Sequence, residues 1–512
     1  LRNFYRDSVS LMQLSSTFAK LPGVEQASAI MASANNVSLL KEAGLLTGTV
    51  EAGANDLLIA LQGDDDALAA AMAAAESALN QNPPPMSGNG KSSAMAPRSI
   101  EMGLEHMVGA NLALISTPGE YAAAEAFKAL SLGLNVMLFS DNVELKDEIA
   151  LKRFAQAHDL IVMGPDCGTA IINGIPLAFA NVVRRGDIGV VGASGTGLQQ
   201  VTCLIDRWGK GISQAIGTGG HDLHREVGGI SMLQGLKGLA ADQSTSVIVL
   251  ISKPPSPEVA ERVLEVASGA GKPVVVNFLG SDPAGIRRPN VFAARTLEDA
   301  AAAAVALADG KRPEEGRPER SPFAMPPKLV PGQQYLRGLY SGGTFCYEAS
   351  LLLKKSLGQV YSNTPVDSKD RLDDVWTSRG HTVIDLGDDL FTRGRPHPMI
   401  DHRLRNERLL KEAADPEVAV ILLDVVLGYG SHHDPASEMA PVVQKAKALA
   451  DKAGRHLAVV GFVCGTSLDP QDLSKQEAVL RDAGVTLAES NAQAVRLAAT
   501  IVSEPTRVGG LP

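Results

Sequence analysis

The sequence predicts an α/β protein built on parallel sheets and preceded by a small α+β domain. Val- and Ile-rich stretches such as SVIVLIS and VAVILLDVV alternate with Ala-rich helical segments, and glycine-rich turns join strand to helix. Aromatic residues make up only 4% of the chain, whereas glycine occupies 50 positions. This composition favours close packing of helices on sheets over an aromatic-rich sandwich.

The small domain is predicted over residues 1–82, where short apolar stretches alternate with helical patterns such as DDDALAAAMAAAESALN. Residues 83–98 combine Pro, Gly and Ser without periodicity, which is typical of a linker. A domain boundary is therefore expected there.

The next strands are buried and parallel in pattern. ANLALIST, NVMLFS and DLIVMG form a βαβαβ unit over residues 99–185, and a second unit over residues 186–308 opens at GDIGVVGAS. A Pro-rich charged linker is predicted over residues 309–334. Residues 335–512 repeat the arrangement of strand, glycine turn and helix, so two related domains are expected to face each other.

Charge and cysteine content exclude several classes of protein. Acidic residues number 57 against 47 basic ones, and no Lys/Arg-rich run marks a nucleic-acid partner. Four scattered cysteines without a CxxC pair indicate neither a zinc site nor a disulfide framework. No apolar stretch reaches the roughly 18 residues of a membrane helix. We expect a cytoplasmic protein with no membrane partner.

The strongest local signal is the turn at Ser194, Gly195, Thr196 and Gly197, which follows the strand IGVVGA and opens a helix. Free backbone N–H groups and the positive end of the helix dipole favour an anion, and glycine lets it approach the backbone. Phosphate is the expected ligand. The alternative interpretation is a tight turn whose small residues serve packing only.

Two similar turns occur in the last domain, and both are candidate phosphate-binding turns. They contain Gly342, Gly343 and Thr344, and Gly430 and Ser431. His432 is a tentative catalytic residue next to His433. We expect no metal there, because neighbouring side chains on an extended segment diverge and no third ligand follows at suitable spacing.

Further candidate contacts follow strands of the two middle units. Asp166 and Cys167 lie in a Pro-containing loop and are predicted to contact substrate, although Cys167 also suits a small structural role. Gly219 and Gly220 are predicted to contact substrate too. The neighbouring His221 and Asp222 are tentative catalytic residues; loop capping is their alternative role.

A charged segment of the last domain supplies the remaining candidates. Arg393 and Arg395 are predicted to clamp a substrate carboxylate together with His397. Asp388 and Asp389 suit hydrated Mg²⁺. An ordinary surface loop with salt bridges explains the same residues, and this alternative stays open.

Several motifs together resemble the FdrA family nearly end to end: GPDCGTA, GDIGVVGASGTGLQ, IGTGGHDL, REVGGISML, SKPP, GLYSGGT, IDLGDD and GRPHPMID. Residues 109–285 are also similar to the α subunit of succinyl-CoA synthetase, and the last domain to the carboxyl-terminal domain of its β subunit. The resemblance implies a Rossmann-like, CoA-binding-type domain over residues 99–185. It implies flavodoxin-like domains over residues 186–308 and 335–512.

The chain departs from the synthetase at its reacting groups. The segment FLGSDPAGIRRPNVFAA, which corresponds to the synthetase's phosphohistidine region, contains no histidine, and SKPP lacks the supporting glutamate. No CoA-type glycine turn precedes ANLALIST, and no ATP-grasp domain is recognised. No cofactor is therefore certain, although CoA or Mg²⁺ stays possible, and phosphate or carbamoyl phosphate is expected as a substrate.

Three functions remain open. The resemblance to FdrA implies an oxamate carbamoyltransferase of allantoin or purine catabolism, which acts with other subunits and converts oxalurate and phosphate to oxamate and carbamoyl phosphate. The second function is an NDP-forming acyl-CoA synthetase. The third is a non-catalytic scaffold that binds phosphate metabolites. In each case we expect a small-molecule ligand and a homo- or hetero-oligomer.

Overall fold

A computed structural model describes residues 1–80, 97–313, 329–392 and 396–503, except positions 3, 5, 7, 43, 49 and 54. The predicted linkers therefore lie largely outside the described residues. The predicted α/β class with parallel sheets and a small amino-terminal domain is confirmed. Within the described ranges, no helix has both the length and the apolar character needed to cross a membrane.

The amino-terminal domain pairs two antiparallel strands against helices. Its elements are α1 (Ser8–Ala19), β1 (Val24–Met31), α2 (Ala34–Glu42), β2 (Leu57–Gly63) and α3 (Asp65–Asn80). Strand β1 pairs with β2 from Val24 opposite Gly63 to Met31 opposite Leu57. Phe18 of α1 is buried in the small core under the sheet.

The next unit is a three-stranded parallel sheet in the order β3-β4-β5. Its elements are α4 (Ile100–His106), β3 (Leu112–Ile115), α5 (Gly119–Ser131), β4 (Asn135–Leu138), α6 (Leu145–Ala157) and β5 (Val162–Met163). Both α5 and α6 bury an apolar face in the core of this unit.

A seven-stranded sheet follows, in the order β12-β11-β10-β8-β9-β6-β7. Its strands are β6 (Thr169–Ile172), β7 (Ile175–Ala178), β8 (Arg185–Ala193), β9 (Ile212–Gly217), β10 (Val247–Ser252), β11 (Val274–Phe278) and β12 (Val291–Ala293). Its helices are α7 (Gly195–Arg207), α8 (Ile230–Ala241), α9 (Pro257–Ser268), α10 (Pro283–Ile286) and α11 (Leu297–Ala308).

This sheet begins earlier in the chain than the predicted boundary at residue 186. Strands β6 and β7 form a hairpin that joins the sheet through antiparallel pairing of Ile171 with Ala215 in β9. The first βαβαβ unit therefore ends at β5.

The last domain is a five-stranded parallel sheet in the order β14-β13-β15-β16-β17. Its strands are β13 (Tyr335–Tyr340), β14 (Thr382–Asp385), β15 (Val418–Val426), β16 (Ala458–Cys464) and β17 (Val485–Ala488). Its helices are α12 (Gly343–Leu357), α13 (Asp389–Thr392), α14 (Arg403–Ala414), α15 (Pro435–Lys452), α16 (Leu473–Asp482) and α17 (Asn491–Ser503), with a 3₁₀ turn at Ser368–Asp370.

The parallel strands of these two larger sheets share one topology. Strands β8–β12 and strands β13–β17 each follow the flavodoxin-like order 2-1-3-4-5. The strand order reverses beside the first strand of each set, β8 and β13, and ligands of such sheets bind in that crevice at the carboxyl ends of the strands. Ser194 follows β8 and Gly342 follows β13, so both predicted turns stand at these crevices.

One continuous apolar cluster joins the two flavodoxin-like domains. It includes Val190 and Leu198 from the seven-stranded sheet and its helix α7, and Tyr340 and Phe345 from the last domain. Burial of large apolar side chains is the main stabilising contribution to such contacts. The two domains therefore hold their turns in a fixed relation.

Candidate functional site

The two glycine turns at the ends of β8 and β13 face each other. The Ser194 Oγ and Thr344 Oγ1 atoms lie 2.6 Å apart, close enough for a hydrogen bond. Ser194 is the N-cap of α7, and its Oγ also accepts a hydrogen bond from the Gly197 amide at 2.9 Å. Thr344 lies in the first turn of α12. The amino-terminal ends of two helices from different domains thus meet.

Several backbone amides at this junction are unpaired within the described residues. At the start of α7 these are the N–H groups of Gly195 and Thr196, and at the start of α12 those of Gly343, Thr344 and Phe345. The helix dipoles add partial positive charge at the same ends. Unpaired amides at two adjoining helix N-termini form a site suited to an anion.

The floor of the α12 turn is fixed by a buried carboxylate. Asp424 of β15 accepts hydrogen bonds from the amides of Ser341 and Gly342. Its other partner is the guanidinium of Arg405, which is buried and lies 2.7 Å from Asp424 Oδ1. This pair orients the turn while leaving the next three amides of α12 unpaired.

Glycine is required where other groups crowd the turns. A Cβ atom on Gly343 would lie 2.6 Å from Asp385 Oδ2, and one on Gly387 would lie 2.7 Å from His397 Nε2. Asp385 therefore stands beside Gly343 at the start of α12, and His397 stands beside Gly387, whose amide donates to Asp385.

Asp385 and His397 have shifted pKa values. Burial raises the pKa of Asp385 to about 6, with Lys253 opposing the shift. Burial next to Arg405 lowers the pKa of His397 to about 4, so the imidazole is neutral at pH 7. Its Nδ1 accepts a hydrogen bond from the Met399 amide at 3.2 Å, which leaves Nε2 as an N–H donor.

Asp166 and Asp385 are both influenced by the positive charge of Lys253. The Asp166 side chain reaches solvent, but partial loss of hydration among the surrounding atoms raises the pKa of its carboxyl group to about 7. The carboxylates of Asp141 and Asp389 raise this pKa further. His221 and Lys253 act in the opposite direction on this pKa.

The predicted pair His221 and Asp222 separates in the structure. Asp222 is fully buried, receives the amides of Ser231 and Met232 at the start of α8, and pairs with Lys152 at 2.8 Å. It therefore serves as a helix cap and a charge partner. His221 is mainly exposed, and its Nδ1 lies 3.4 Å from Glu148, which raises the pKa of the imidazole.

Cys167 is buried and Gly219 is closely packed. Burial raises the pKa of the Cys167 thiol to about 12, so no thiolate forms near pH 7. A Cβ atom on Gly219 would lie 2.3 Å from the Pro165 carbonyl oxygen. The loop that contains Gly219 and the loop that contains Pro165 are therefore in close backbone contact. Gly220 lies next to Asp166.

The loop after β15 differs from the other two turns. Helix α15 begins with Pro435, and the amides of Ala436 and Ser437 are already paired with Gln476 and Asp434. The N-terminus of this helix is therefore filled by side chains. The predicted residues Gly430 and Ser431 lie before it, Gly430 against the ring of Phe179, and the buried Ser431 Oγ has no partner within the described residues.

His432 has neighbours that the sequence did not indicate. The prediction of no metal was based on a missing third ligand, but in the structure His402 and Glu438 each place a candidate ligand atom within 4.8 Å of the one from His432. These residues come from the start of α14 and from α15. Arg393 and Arg395, predicted to bind a carboxylate, lie outside the described residues.

Sequence reasoning missed three residues of the site. Lys253 follows β10 and is the cation that acts on both Asp385 and Asp166. Its position after a parallel strand was an available signal. Arg405 and Asp424 gave no such signal, because a charged residue inside an apolar strand pattern does not reveal its partner.

Family models match three parts of the chain. They are an AllF heavy metal-associated domain over residues 1–96, a CoA binding domain over 183–280 and a CoA-ligase domain over 339–501. The CoA binding match contains strands β8 to β11 of the seven-stranded sheet, whereas we expected that domain over residues 99–185. The CoA-ligase match lies in the last domain.

Individual relatives agree with this domain content. Over 495 residues the chain is 46% identical to the uncharacterized protein YahF of Escherichia coli (strain K12), covering 96% of this chain and 95% of that protein. It is 27% identical over 178 residues to the succinate–CoA ligase [ADP-forming] subunit alpha of Aquifex aeolicus, covering 34% of this chain and 57% of that subunit.

Solved structures with partial similarity include two enzymes. One is the dinucleotide-forming acetyl-coenzyme A synthetase 1 of Ca. Korarchaeum cryptofilum with phosphate and ADP, at TM-score 0.32 and 14% identity over 76% of this chain and 82% of that chain. The other is the ATP citrate lyase of Methanothrix soehngenii with citrate and coenzyme A, at TM-score 0.33 and 19% identity over 41% and 36%.

Proposed function

We propose that this chain, which belongs to the family of the Escherichia coli protein YahF, is an FdrA-type subunit of a transferase that moves a carbamoyl or acyl group to or from inorganic phosphate. The favoured reaction is phosphorolysis of oxalurate to oxamate and carbamoyl phosphate. The observation that carries the proposal is the meeting of two helix N-termini at Ser194 and Thr344.

Phosphate suits this junction better than a carboxylate does. In the part of the chain that the structure describes, five amides at the starts of these two helices are unpaired, and the two hydroxyls are in contact. A tetrahedral anion presents several oxygens in different directions, so it can accept hydrogen bonds from both helices at once. Fixed donors of this kind also stabilise charge that develops on phosphoryl oxygens during reaction.

The proposed reaction needs a positioned nucleophile and a proton for the leaving group. A phosphate oxygen attacks the carbamoyl carbon of oxalurate, and the bond from that carbon to the inner nitrogen breaks. Oxamate then leaves, with that nitrogen taking up a proton. We assign the proton transfer to Asp385, whose pKa of about 6 lets it carry a proton near neutral pH beside Gly343. In this proposal His397 Nε2–H donates to a substrate oxygen.

CoA and Mg²⁺ enter no step of this proposal. The proposed chemistry uses phosphate and the residues at the two helix N-termini alone. Asp388, a predicted Mg²⁺ ligand, accepts the Leu390 amide at 2.9 Å.

A second candidate function is an NDP-forming acyl-CoA synthetase. It is supported by the CoA binding and CoA-ligase domains and by the position of His397, whose Nε2 lies beside the Gly387 turn. A histidine at this place is the available phosphate acceptor near the junction, because the segment after β11 has none. Radiolabelled phosphate retained on the protein and lost in His397→Gln would favour this function.

The direct test is phosphate-dependent cleavage of oxalurate by the chain together with the subunits that co-purify with it. We expect carbamoyl phosphate to form and Ser194→Ala to reduce its rate. Absence of carbamoyl phosphate from the complete complex would count against the transferase. An unchanged rate in Ser194→Ala would instead indicate that this chain is a scaffold.

A further inference from the structure

The amino-terminal domain lacks the donors that a heavy-metal site uses. Residues 1–96 match a heavy metal-associated domain, yet this segment contains no cysteine and no histidine. Soft metal ions select thiolate, thioether and imidazole ligands. Of the methionines in this domain, Met31 is buried in the small core and Met72 is exposed on α3. The side chains of the domain therefore do not fit the metal that its family name implies.

A group of side chains with metal-like spacing belongs instead to the last domain. Within the ranges that the structure describes, His402, His432 and Glu438 hold candidate ligand atoms within 4.8 Å of one another, and we call them the histidine–glutamate cluster. His432 Nε2 and Glu438 Oε2 are 3.1 Å apart. His402 Nε2 and Glu438 Oε2 are buried and form no hydrogen bond with described residues. A carboxylate oxygen that is buried in this way needs a cation nearby.

The amino-terminal domain places an ammonium group at this cluster. Lys20 follows α1, and its Nζ atom lies 2.8 Å from His432 Nε2 and 3.8 Å from Glu438 Oε2. Burial lowers the pKa of both imidazoles, and the Lys20 charge lowers them further. Burial raises the pKa of Glu438, and the Lys20 charge opposes this effect. The ammonium therefore acts on all three members of the cluster, as a bound metal ion would.

The other cations beside the cluster are paired with carboxylates. Arg403 Nη2 lies 2.6 Å from Asp401 Oδ2, and Arg405 Nη1 lies 2.7 Å from Asp424 Oδ1. Among the described side chains, Lys20 is therefore the cation that neutralises Glu438. A divalent ion at the same place would meet the ammonium at close range, and like charges repel strongly in partly buried surroundings.

A second contact crosses the same interface. The Arg403 guanidinium donates to the Ala19 carbonyl at 3.2 Å. Ala19 is the last residue of α1, where carbonyl groups have no partner within the helix and the helix dipole favours a cation. One cation thus reaches from each domain into the other, Lys20 towards the last domain and Arg403 towards α1.

We propose that the amino-terminal domain carries no heavy metal and that its Lys20 ammonium is the permanent cation of the histidine–glutamate cluster. The contact fastens the amino-terminal domain to the last domain at the carboxyl end of α1. It uses none of the residues assigned to phosphate. Its tests are therefore independent of phosphorolysis.

Calorimetric titration of the full chain with Zn²⁺ and Cd²⁺ tests the role of Lys20 as the cation. We expect the wild-type protein and His402→Phe to give the same titration, because the cluster binds neither ion. Lys20→Ala should bind Zn²⁺ at least about tenfold more tightly than the wild-type protein, because the competing charge is removed. Lys41→Ala, which changes an exposed lysine of the same domain, is the matched control and should show no gain.

Competitive acetylation of lysines in the native protein, read by mass spectrometry, tests the contact between the domains. Lys20 should react about tenfold more slowly than Lys41, as expected for an ammonium held by a charged contact. Glu438→Gln should raise the rate at Lys20 and leave the rate at Lys41 unchanged. Both rates come from one sample, so Lys41 serves as an internal control.

One equivalent of Zn²⁺ bound by the wild-type protein and lost in His402→Phe would overturn the proposal and show a metal site instead. Equal Zn²⁺ affinity in the wild-type protein and Lys20→Ala would also overturn it. Equal acetylation rates at Lys20 and Lys41 in the wild-type protein would show that the two domains are not fastened at this contact. The wild-type titration and the wild-type rates need no variant, so the proposal can fail even where a variant does not fold.

Discussion

The hydroxyl oxygens of Ser194 and Thr344 lie 2.6 Å apart, although 150 residues separate them in the chain. Each residue stands at the first turn of a helix in its own flavodoxin-like domain. Their contact brings the positive ends of both helices to one place. The following predictions concern the chemistry expected there and the groups that support it.

Ser194→Ala and Thr344→Val should each lower the phosphorolysis rate by roughly 10- to 100-fold, because each removes a hydroxyl from the anion site. Ser194→Ala also removes the cap on Gly197, at a cost of about 1 kcal/mol in unfolding free energy. The double variant should lose less than the product of the single effects, since the two hydroxyls act together. Initial rates at saturating and limiting phosphate measure this, and fully multiplicative losses would show that the hydroxyls act separately.

Gly343→Ala should abolish phosphate binding, because the new Cβ atom would lie 2.6 Å from Asp385 Oδ2 at the start of α12. Gly238→Ala in α8 is the control: it meets no atom within 4 Å and replaces a helical glycine. That control should be stabilised by roughly 0.5–1 kcal/mol. Equal phosphate affinity in both variants, measured by calorimetry, would contradict the assigned turn.

Asp385 should make both rate and stability depend on pH. Its pKa of about 6 in the folded protein is raised above the ordinary value of 3.8, so its contribution to stability is present at low pH and is lost as pH rises from about 4 to 6. Two pKa units correspond to about 3 kcal/mol. Urea titrations at several pH values measure this effect. Between pH 4 and 6, Asp385→Asn should lose less free energy of unfolding than the wild-type protein does.

The phosphorolysis rate should also fall above pH 6 if protonated Asp385 supplies the proton to the leaving nitrogen. Asp385→Asn should be slow at every pH and show no inflection near pH 6. An unchanged pH profile in this variant would assign the proton transfer to another group, of which Asp166, with a pKa of about 7, is the next candidate.

Lys253→Met should raise the pKa of Asp385 further, because Lys253 is the cation that opposes the effect of burial. The inflection of the rate profile should then move to higher pH. Lys237→Met, on helix α8, offers a lysine control for the loss of one charge. A profile that does not move in Lys253→Met would show that this lysine does not act on the proton-transfer group.

Lys152→Met should strongly destabilise the protein. The ammonium is fully buried between Glu148 and Asp222, at 2.8 Å from each, and its loss removes the cation that these two buried carboxylates share. Removing one member of such a group costs about 3–5 kcal/mol. Lys128→Met, an exposed lysine of α5, should change unfolding in urea very little.

The fold followed from the sequence because its signals are local. Buried parallel strands, glycine turns and Ala-rich helices each show their period over a few residues. The hairpin β6-β7 was not predicted, and its residues fell before the expected boundary at residue 186, because the pairing of Ile171 with Ala215 depends on contacts distant in sequence. The pattern of strand, glycine turn and helix predicted the two turns that the structure has after β8 and β13.

Single side chains were harder to predict. Asp222 follows a glycine turn as a catalytic residue often does, but it is buried between Lys152 and the amides of α8. Lys20 carries no motif at all, and its approach to His432 depends on how the first domain docks on the last. Such roles depend on tertiary contacts that no short pattern records.

Because the two flavodoxin-like domains share one apolar cluster, dilution of the protein should not separate the two halves of the site. When two half-sites belong to separate molecules, their encounter depends on concentration, whereas linkage in one chain replaces that dependence with a fixed effective concentration. Because Val190 and Phe345 lie in one continuous core, the halves that carry Ser194 and Thr344 remain together at any protein concentration. Phosphate affinity per chain should therefore be the same in nanomolar and micromolar solutions.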